Sequence, residues 1–458
     1  MQDPTFSDPE PEEGFASAVV PVAKCVAGPY VRSSRERHLR IAGATATAAY
    51  RGLVLGTVFQ PIISLAHQRT VGHEALLRAH DDQGRPVAPL GALQHAEGHN
   101  ELAELDGICR ALHLKNFELR APATGWLFCN MSPALALELT EHPDALLGFK
   151  RDQGALPPER VVVEIVEAEA QEEGRLTDAV AKLRELGCLV AIDDFGAGHS
   201  NFERIWRIAP DIVKLDRAMI ARAMESRKVR RMLASIIALI HEAECLAVLE
   251  GIESEVQAML AMDVDADFVQ GFYFAEPCAR IDADPPERVE RVQRLFDRFR
   301  GQSARRTFQE RALLSRYSSK LEQVALALQQ GAPVERACAD LLSSPGVARC
   351  YLLDANGVQV GNCAMASGPS ARDVRYAPCA ETAGASWLRR CHFRDALMQP
   401  MTLQLSRPYL SVFDGRSCVT LSFAVPLKHG IRVICVDLSR GSEAFELCGH
   451  RSSWSQTP

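Results

Sequence analysis

The sequence predicts an α/β chain: a closed barrel of eight βα units, then a helical linker and a smaller α+β domain. Two observations carry the barrel. From about residue 45 to 280, short apolar strand-like runs alternate with amphipathic helical stretches, and that length suits eight βα units. Polar side chains also stand where these runs end. Glu74 opens the series. Asn130 follows residues 126–129, Glu164 follows 161–163, and Asp193 and Asp194 end 189–192. Lys214 lies within 212–216, Glu250 ends 247–249, and Gln270 comes after 268–269. In a closed parallel barrel the C-terminal strand ends open on one face, so scattered positions converge on one pocket. A doubly wound open sheet would gather its ligands at a single switch point, so sites on many strands favour closure.

At 458 residues the chain exceeds one ordinary core, and two or three domains are expected. An apolar fraction of 47% with 24% charged residues is that of a soluble globular protein. The net charge of −7 argues against a nucleic-acid polymer as partner, though a phosphate ligand held by a few cations is compatible with it. Uninterrupted apolar runs of membrane-spanning length are missing, and the N-terminus lacks a basic start followed by an apolar segment. Neither a membrane span nor a signal peptide is expected, and a cytoplasmic location is. The 14 cysteines follow no repeating framework, which suits buried thiols better than disulfides.

Residues 1–40 mix acids and prolines with later arginines and read as a flexible leader. Residues 41–284 form the predicted barrel. Within it, 175–186 and 224–243 each carry the apolar stripe of a helix, the latter through Met232, Ile236, Ile237, Leu239 and Ile240. Residues 285–332 read as a helical linker. Val289, Val292, Phe296 and Phe299 follow a heptad-like spacing that lapses at 301–303 and resumes at Leu314, Tyr317, Leu321, Val324 and Leu328. Such a seam pairs with another helix or folds back onto a domain. The linker is basic, a solvated face beside the seam. In the smaller domain, 333–445, residues 349–361 read as strand, turn, strand, with Asn356-Gly357 supplying the turn. Residues 417–425 and 431–437 read as two further strands, and 446–458 as a flexible tail.

The barrel residues suit hard divalent cations, which take oxygen ligands. Glu74, Asn130, Glu164 and Asp193 supply three carboxylates and an amide, and Asp194 can serve a second ion with Asp193 shared. Adjacent strand residues face opposite ways, so this sharing places Asp194 beyond the strand's end. Two such ions can activate water and stabilise the oxygens of a phosphodiester displacement. Lys214, inside an apolar run, needs a partner or a task because burying its charge alone is costly.

Phe59-Gln60-Pro61-Ile62-Ile63, Glu74-Ala75-Leu76-Leu77-Arg78, Asn130-Met131-Ser132, Glu164-Ile165-Val166-Glu167, Asp193-Asp194-Phe195-Gly196-Ala197-Gly198, Lys214-Leu215-Asp216, Glu250-Gly251-Ile252-Glu253 and Gln270-Gly271 together resemble the EAL domain. That family comprises cyclic-di-GMP phosphodiesterases and catalytically silent relatives. The resemblance implies a TIM-like barrel with one reversed strand, dimerisation through barrel helices, and bacterial second-messenger signalling. It also implies Mg2+ or Mn2+, two per site, with Ca2+ inhibitory. Lys214, Glu250 and Glu74 are then catalytic, and Glu74, Asn130, Glu164, Asp193, Asp194 and Glu250 hold metal. Gln60, Arg78, Asp216 and Gln270 contact substrate, while Glu167 and Glu253 support the loop after Asp194. The chain departs from the family's usual residues at Ser64, Ala79, His199 and Asn201, none of them a metal ligand. The C-terminal domain more loosely resembles a PAS or Cache sensor, which implies regulation by a small-molecule or protein signal. A receptor that binds cyclic di-GMP without cleaving it is the alternative reading.

Overall fold

The computed structural model describes residues 38–120, 124–131, 156–165, 173–197, 202–281, 284–366, 381–411, 413–428 and 430–448. Glu167, His199, Asn201, most of the leader and nearly all of the tail lie outside them. Among the described residues no helix is long and apolar enough to cross a membrane.

Eleven strands form the first sheet: β1 (Leu39–Ala42), β2 (Thr45–Tyr50), β3 (Leu53–Ser64), β4 (Arg69–His80), β5 (Pro86–Val87), β6 (Trp126–Met131), β7 (Val161–Ile165), β8 (Leu189–Phe195), β9 (Ile212–Leu215), β10 (Leu246–Leu249) and β11 (Phe268–Val269). Strands β4 and β6 to β11 pair in parallel around a ring, and β3 closes it antiparallel to both β4 and β11. The result is an eight-stranded barrel with its first strand reversed. Beyond the ring, β1, β2, β5 and the helices Pro89–Glu97 and Leu102–Arg120 build a side lobe around its own apolar cluster.

Strand periodicity sorts the barrel's side chains. Outward residues meet the surrounding helices in the largest core. Inward, Ile62, Phe128, Val162, Ala191, Ile212, Val248 and Phe268 fill the middle as one buried layer. Gly72 completes it by having no side chain, since a Cβ there would lie 2.9 Å from the Phe128 ring. The barrel is therefore plugged, and anything inward-facing above the plug is presented at the C-terminal mouth.

The helix predicted over 175–186 spans Glu173–Leu186. The stretch predicted as one helix over 224–243 is two, Arg217–Glu225 and Arg227–Glu242. Ser226 divides them: its extended backbone stops the first, and its Oγ accepts from the Val229 N–H of the second. The core face of the second helix is Leu233, Ile237 and Ile240, whereas Met232 and Leu239 are exposed.

Between barrel and lobe, Thr57 Oγ1 and His113 Nδ1 meet at 2.7 Å, both residues buried. Burial, helped by Arg110, pushes the His113 pKa down to about 3. The unfolded chain then binds a proton near pH 6.5 that the fold refuses, so stability present above that pH is lost as pH falls towards 3. His113 alone should cost roughly 2 kcal/mol at pH 5. Urea unfolding at pH 7 and pH 5 should show a smaller drop for His113→Gln than for the wild type.

The linker is a single helix, Pro286–Gln329, 44 residues and about 66 Å long. It runs unbroken through Gly301, where the apolar spacing lapses. Val292 and Leu295 are buried against the barrel, and Leu313, Tyr317, Leu321 and Val324 against the C-terminal unit. The seam thus folds back onto two bodies in turn. Arg306 ties its middle to Asp263 through two hydrogen bonds of 2.6 and 3.0 Å.

The C-terminal unit is an antiparallel sheet of β12 (Val347–Leu353), β13 (Gln359–Met365), β14 (Gln404–Leu405), β15 (Tyr409–Leu410), β16 (Ser417–Leu427) and β17 (Gly430–Ser439), in order β13-β12-β17-β16-β14, with β15 also on β16. The turn at Asn356-Gly357 forms as expected. Asp354 Oδ1 accepts from the N–H groups of Asn356 and Val358, and Gly357 takes φ +77°. One sheet face packs on the long helix; the other lies under the helix Cys391–Met398. Cys109, Cys129, Cys188, Cys245 and Cys278 before the long helix, and Cys338, Cys350, Cys363, Cys391, Cys418 and Cys435 after it, are free thiols.

Candidate active site in the barrel mouth

Advancing every inward residue of the apolar plug by two positions gives the next layer towards the mouth. On the parallel strands that layer is Glu74, Asn130, Glu164, Asp193 and Lys214, with Glu250 and Gln270 just past the ends of β10 and β11. On reversed β3 the same step runs backwards, from Ile62 to Gln60. All eight strands contribute one polar group to a single ring. Asn130 and Glu164 are direct cross-strand partners.

Lys214 is the hub. Its Nζ lies 2.5 Å from Glu164 Oε1, 2.6 Å from Glu250 Oε1, 3.0 Å from Asp193 Oδ1 and 3.7 Å from Glu74 Oε2. Glu164 is fully buried and Lys214 is 1% exposed. Burial works against the ammonium, but Glu164, Glu250, Glu74 and Asp193 together hold its pKa well above the ordinary lysine value. Burial also raises Glu164 well above the carboxylate range and pushes Glu250 up to about 7, with Lys214 opposing both.

The amides complete the ring. Gln270 Nε2 donates to Glu74 Oε2 at 2.6 Å and to Gln60 Oε1 at 3.1 Å. Gln60 Nε2 donates in turn to the Ala275 carbonyl at 3.2 Å. Asn130 Nδ2 donates to Glu74 Oε1 at 3.2 Å, which aims its amide oxygen elsewhere.

Asp194 corrects the expectation that it lies beyond the strand. It is within β8, at a bulge: the ladder to β9 passes from Ile192↔Val213 to Phe195↔Leu215, one extra residue on β8. A φ of +54° at Asp194 turns its side chain towards its neighbour's side. Consequently Asp193, Asp194 and Glu250 each place an oxygen within 4.8 Å of the others. Glu74 also differs from a strand-end residue. Strand β4 continues to His80, and only its parallel ladder to β6 stops at Glu74.

The remaining predicted residues stand apart from the ring. Arg78 is four residues further along β4, and its Nη1 donates to the Leu77 carbonyl at 2.8 Å. Asp216 caps the helix Arg217–Glu225, its Oδ1 accepting from Ala218 N at 2.8 Å. Glu253 is exposed just before the helix Glu255–Asp263, and its N–H donates to Gln257 Oε1.

The ring's charge is unbalanced: four carboxylates surround one lysine, and Asp194 adds a fifth beside Asp193 and Glu250. Both oxygens of Glu164, Oδ1 of Asp193 and Oε1 of Glu250 are buried without a directed hydrogen bond, although Lys214 lies close to all three residues. An all-oxygen set with excess negative charge, one lysine shared among four acids and Glu164 Oε2 buried without a partner fits hard divalent cations.

Sequence reading overlooked the backbone that holds Gln270. A Cβ on Gly271 would come within 2.2 Å of Ile252 N and O, so the chain after Gln270 can approach the Ile252 strand end only as glycine. The signal available was the glycine directly after a polar strand-end residue. Gly271→Ala should push Gln270 off Glu74 and lower thermal stability by at least about 2 kcal/mol, measurable by calorimetry beside the wild type.

The EAL domain model matches residues 48–277. RocR, a cyclic di-GMP phosphodiesterase of Pseudomonas aeruginosa, is 27% identical over 259 residues, 54% of this chain and 64% of that protein. PdeN of Escherichia coli, named a probable cyclic di-GMP phosphodiesterase, is 28% identical over 227 residues, 48% of this chain and 42% of its own. An uncharacterised Azorhizobium caulinodans protein is 27% identical over a stretch that is 34% of its length. The chain thus spans about a third to two thirds of these relatives. Among solved structures, the Bacillus subtilis YkuI protein, crystallised with substrate c-di-GMP and calcium, superposes with a TM-score of 0.72 at 21% identity. It covers 85% of this chain and 97% of that one, so the shared fold reaches past the barrel. With the motif ring, the reversed first strand and a family match over half its length, the chain belongs to the EAL domain family.

Proposed function

We propose that the barrel hydrolyses cyclic di-GMP to linear pGpG, and that the C-terminal unit is a sensor domain regulating it. The observation that carries the first part is the ring of eight polar groups, one from each barrel strand, in which four carboxylates surround Lys214. Kinship with cyclic-di-GMP phosphodiesterases supplies the substrate class.

Glu74, Asn130, Glu164 and Asp193 would hold one Mg2+ or Mn2+, and Asp193, Asp194 and Glu250 a second. When bound, the cations supply Lewis-acid activation of water and neutralise phosphate charge. Lys214 Nζ donates hydrogen bonds to the attacked phosphate, and its charge favours the ionised forms of Glu164 and Glu250 against their burial. Gln60 and Gln270 hold Glu74 in place and offer amides to the substrate. Arg78, further out on β4, is the guanidinium for the second phosphate. In the reaction, a water oxygen bonds to phosphorus and one phosphorus–O3′ bond breaks. The proton passes to O3′, leaving a linear dinucleotide with a 5′-phosphate. The plug of Ile62, Phe128, Val162, Ile212 and Val248 keeps water from the ring's underside.

The reading further includes a homodimer formed through barrel helices, with the long helix carrying the state of the C-terminal unit to the barrel. Incubating the purified chain with cyclic di-GMP and Mg2+ or Mn2+, with chromatographic separation of products, tests it. Conversion to pGpG that Ca2+ fails to support is expected. Binding with no product after prolonged incubation in either metal would instead make the protein a receptor.

A further inference from the structure

The helix Arg217–Glu225 starts against the chain that carries Asp194 and Glu250. Asp216, its capping residue, donates its N–H to the carbonyl of Phe195, one residue past Asp194, at 3.1 Å. Glu250 N donates to the Leu215 carbonyl at 3.2 Å, just before the same cap. Side chains of the helix fill the space behind both acids. A Cβ on Gly196 would lie 2.6 Å from Met219 Cγ, and one on Gly251, directly after Glu250, 2.3 Å from Arg217 Cβ. Contacts this close leave no slack, so a shift of the helix moves the backbone beside Asp194 and Glu250. Those two carboxylates and Asp193 hold their oxygens within 4.8 Å of one another.

Ser226 alone joins that helix to the next, Arg227–Glu242. Just past the first turn of the second helix, the half-buried Arg231 reaches out of the barrel. Its guanidinium lies over the Phe445 ring, 5.5 Å from the centroid. Phe445 belongs to the C-terminal unit. It is 1% exposed on the short helix Glu443–Cys448, in the core shared with the long helix. Glu443 of the same short helix pairs with Arg316 of the long helix. The C-terminal unit thus grips the barrel at a point that does not lie along the long helix, through a cation on an aromatic face.

We propose that the Arg231–Phe445 contact is a second regulatory link, by which the C-terminal unit sets the affinity of the cation position formed by Asp193, Asp194 and Glu250. This rests on the reading of those three as metal ligands. The two states are Arg231 seated on the ring and Arg231 released from it. In the seated state the three carboxylates converge, so release loosens the cation position through Ser226, Met219 and Arg217. Arg231 is a positioning residue that touches neither metal nor substrate.

The test titrates Mn2+ into the full chain by calorimetry without nucleotide, so its outcome does not depend on whether cyclic di-GMP is cleaved. Arg231→Gln and Phe445→Leu should each weaken one Mn2+ by about two- to fivefold, the range that a partly exposed cation on an aromatic ring can supply. The double variant should be no weaker than either single one, because both remove the same contact. The sign is diagnostic for Arg231→Gln. Removing a positive charge by itself favours a bound cation, so weaker binding reports lost positioning. By reciprocity, Mn2+ should slow amide exchange around Phe445 in the wild type and not in Arg231→Gln. Unchanged or tighter Mn2+ binding in Arg231→Gln would overturn the link, as would losses that add in the double variant. A wild type that binds no Mn2+ would sink the reading of the ring as a metal site, and the link with it.

Discussion

Lys214→Met is expected to abolish hydrolysis of cyclic di-GMP, by at least about 10³-fold, because among the described residues the ammonium is the ring's one buried donor of full positive charge. The same change should destabilise the metal-free chain by about 3–5 kcal/mol, since Glu164, Glu250 and Asp193 lose the one cation they share. Mg2+ should restore much of that stability without restoring turnover: it neutralises the acids but supplies no N–H donor. Urea unfolding in chelator and in Mg2+, beside product chromatography, separates the two effects. A variant as stable and as active as the wild type would remove Lys214 from the centre of the mechanism. One that keeps its stability but loses turnover would confine the lysine to chemistry.

Leu321→Asp should unfold the C-terminal unit while sparing the barrel. Leu321 is fully buried in the apolar core that the long helix shares with the C-terminal sheet, and a carboxylate there has no partner. The cost, more than about 4 kcal/mol, exceeds much of what a domain this size has to lose. Limited proteolysis should then trim the chain back to a barrel fragment that still binds substrate. That fragment must keep the first turns of the long helix, because Val292 and Leu295 belong to the barrel core. A cut at residue 284 should therefore melt below one at residue 302. If the C-terminal unit acts through the helix, turnover of Leu321→Asp will differ from that of the wild type at saturating metal. Equal rates would make the C-terminal unit a passenger.

Much of the barrel was legible because period-two burial and chemistry coincide there. Val161 to Ile165 is apolar except at Glu164, and Ile212 to Leu215 except at Lys214, so each run announces both a buried strand and the residue it spends on the site. The long helix was legible through its seam, though not which body each half would join. Ser226 escaped notice because the residues around it are good helix formers, and one capping serine outweighed them. Arg349, the one charge in β12, and Asp437, after the apolar run 433–436 of β17, were the same kind of signal as Lys214. They lacked any motif to connect them.

Sequence by itself determined the list of polar groups, their order and their placement near strand ends, because alternation along a strand is a local property. Tertiary structure decided which of them meet. Closure of the barrel brings Gln60 on a reversed strand to Gln270, 210 residues away, and draws four carboxylates around one lysine. The bulge at Asp194 decided that two adjacent aspartates could face one centre. Neither outcome is encoded at its own position. Each depends on the curvature and register imposed by neighbouring strands, and on a plug of apolar side chains that leaves the next layer nowhere to point but the mouth.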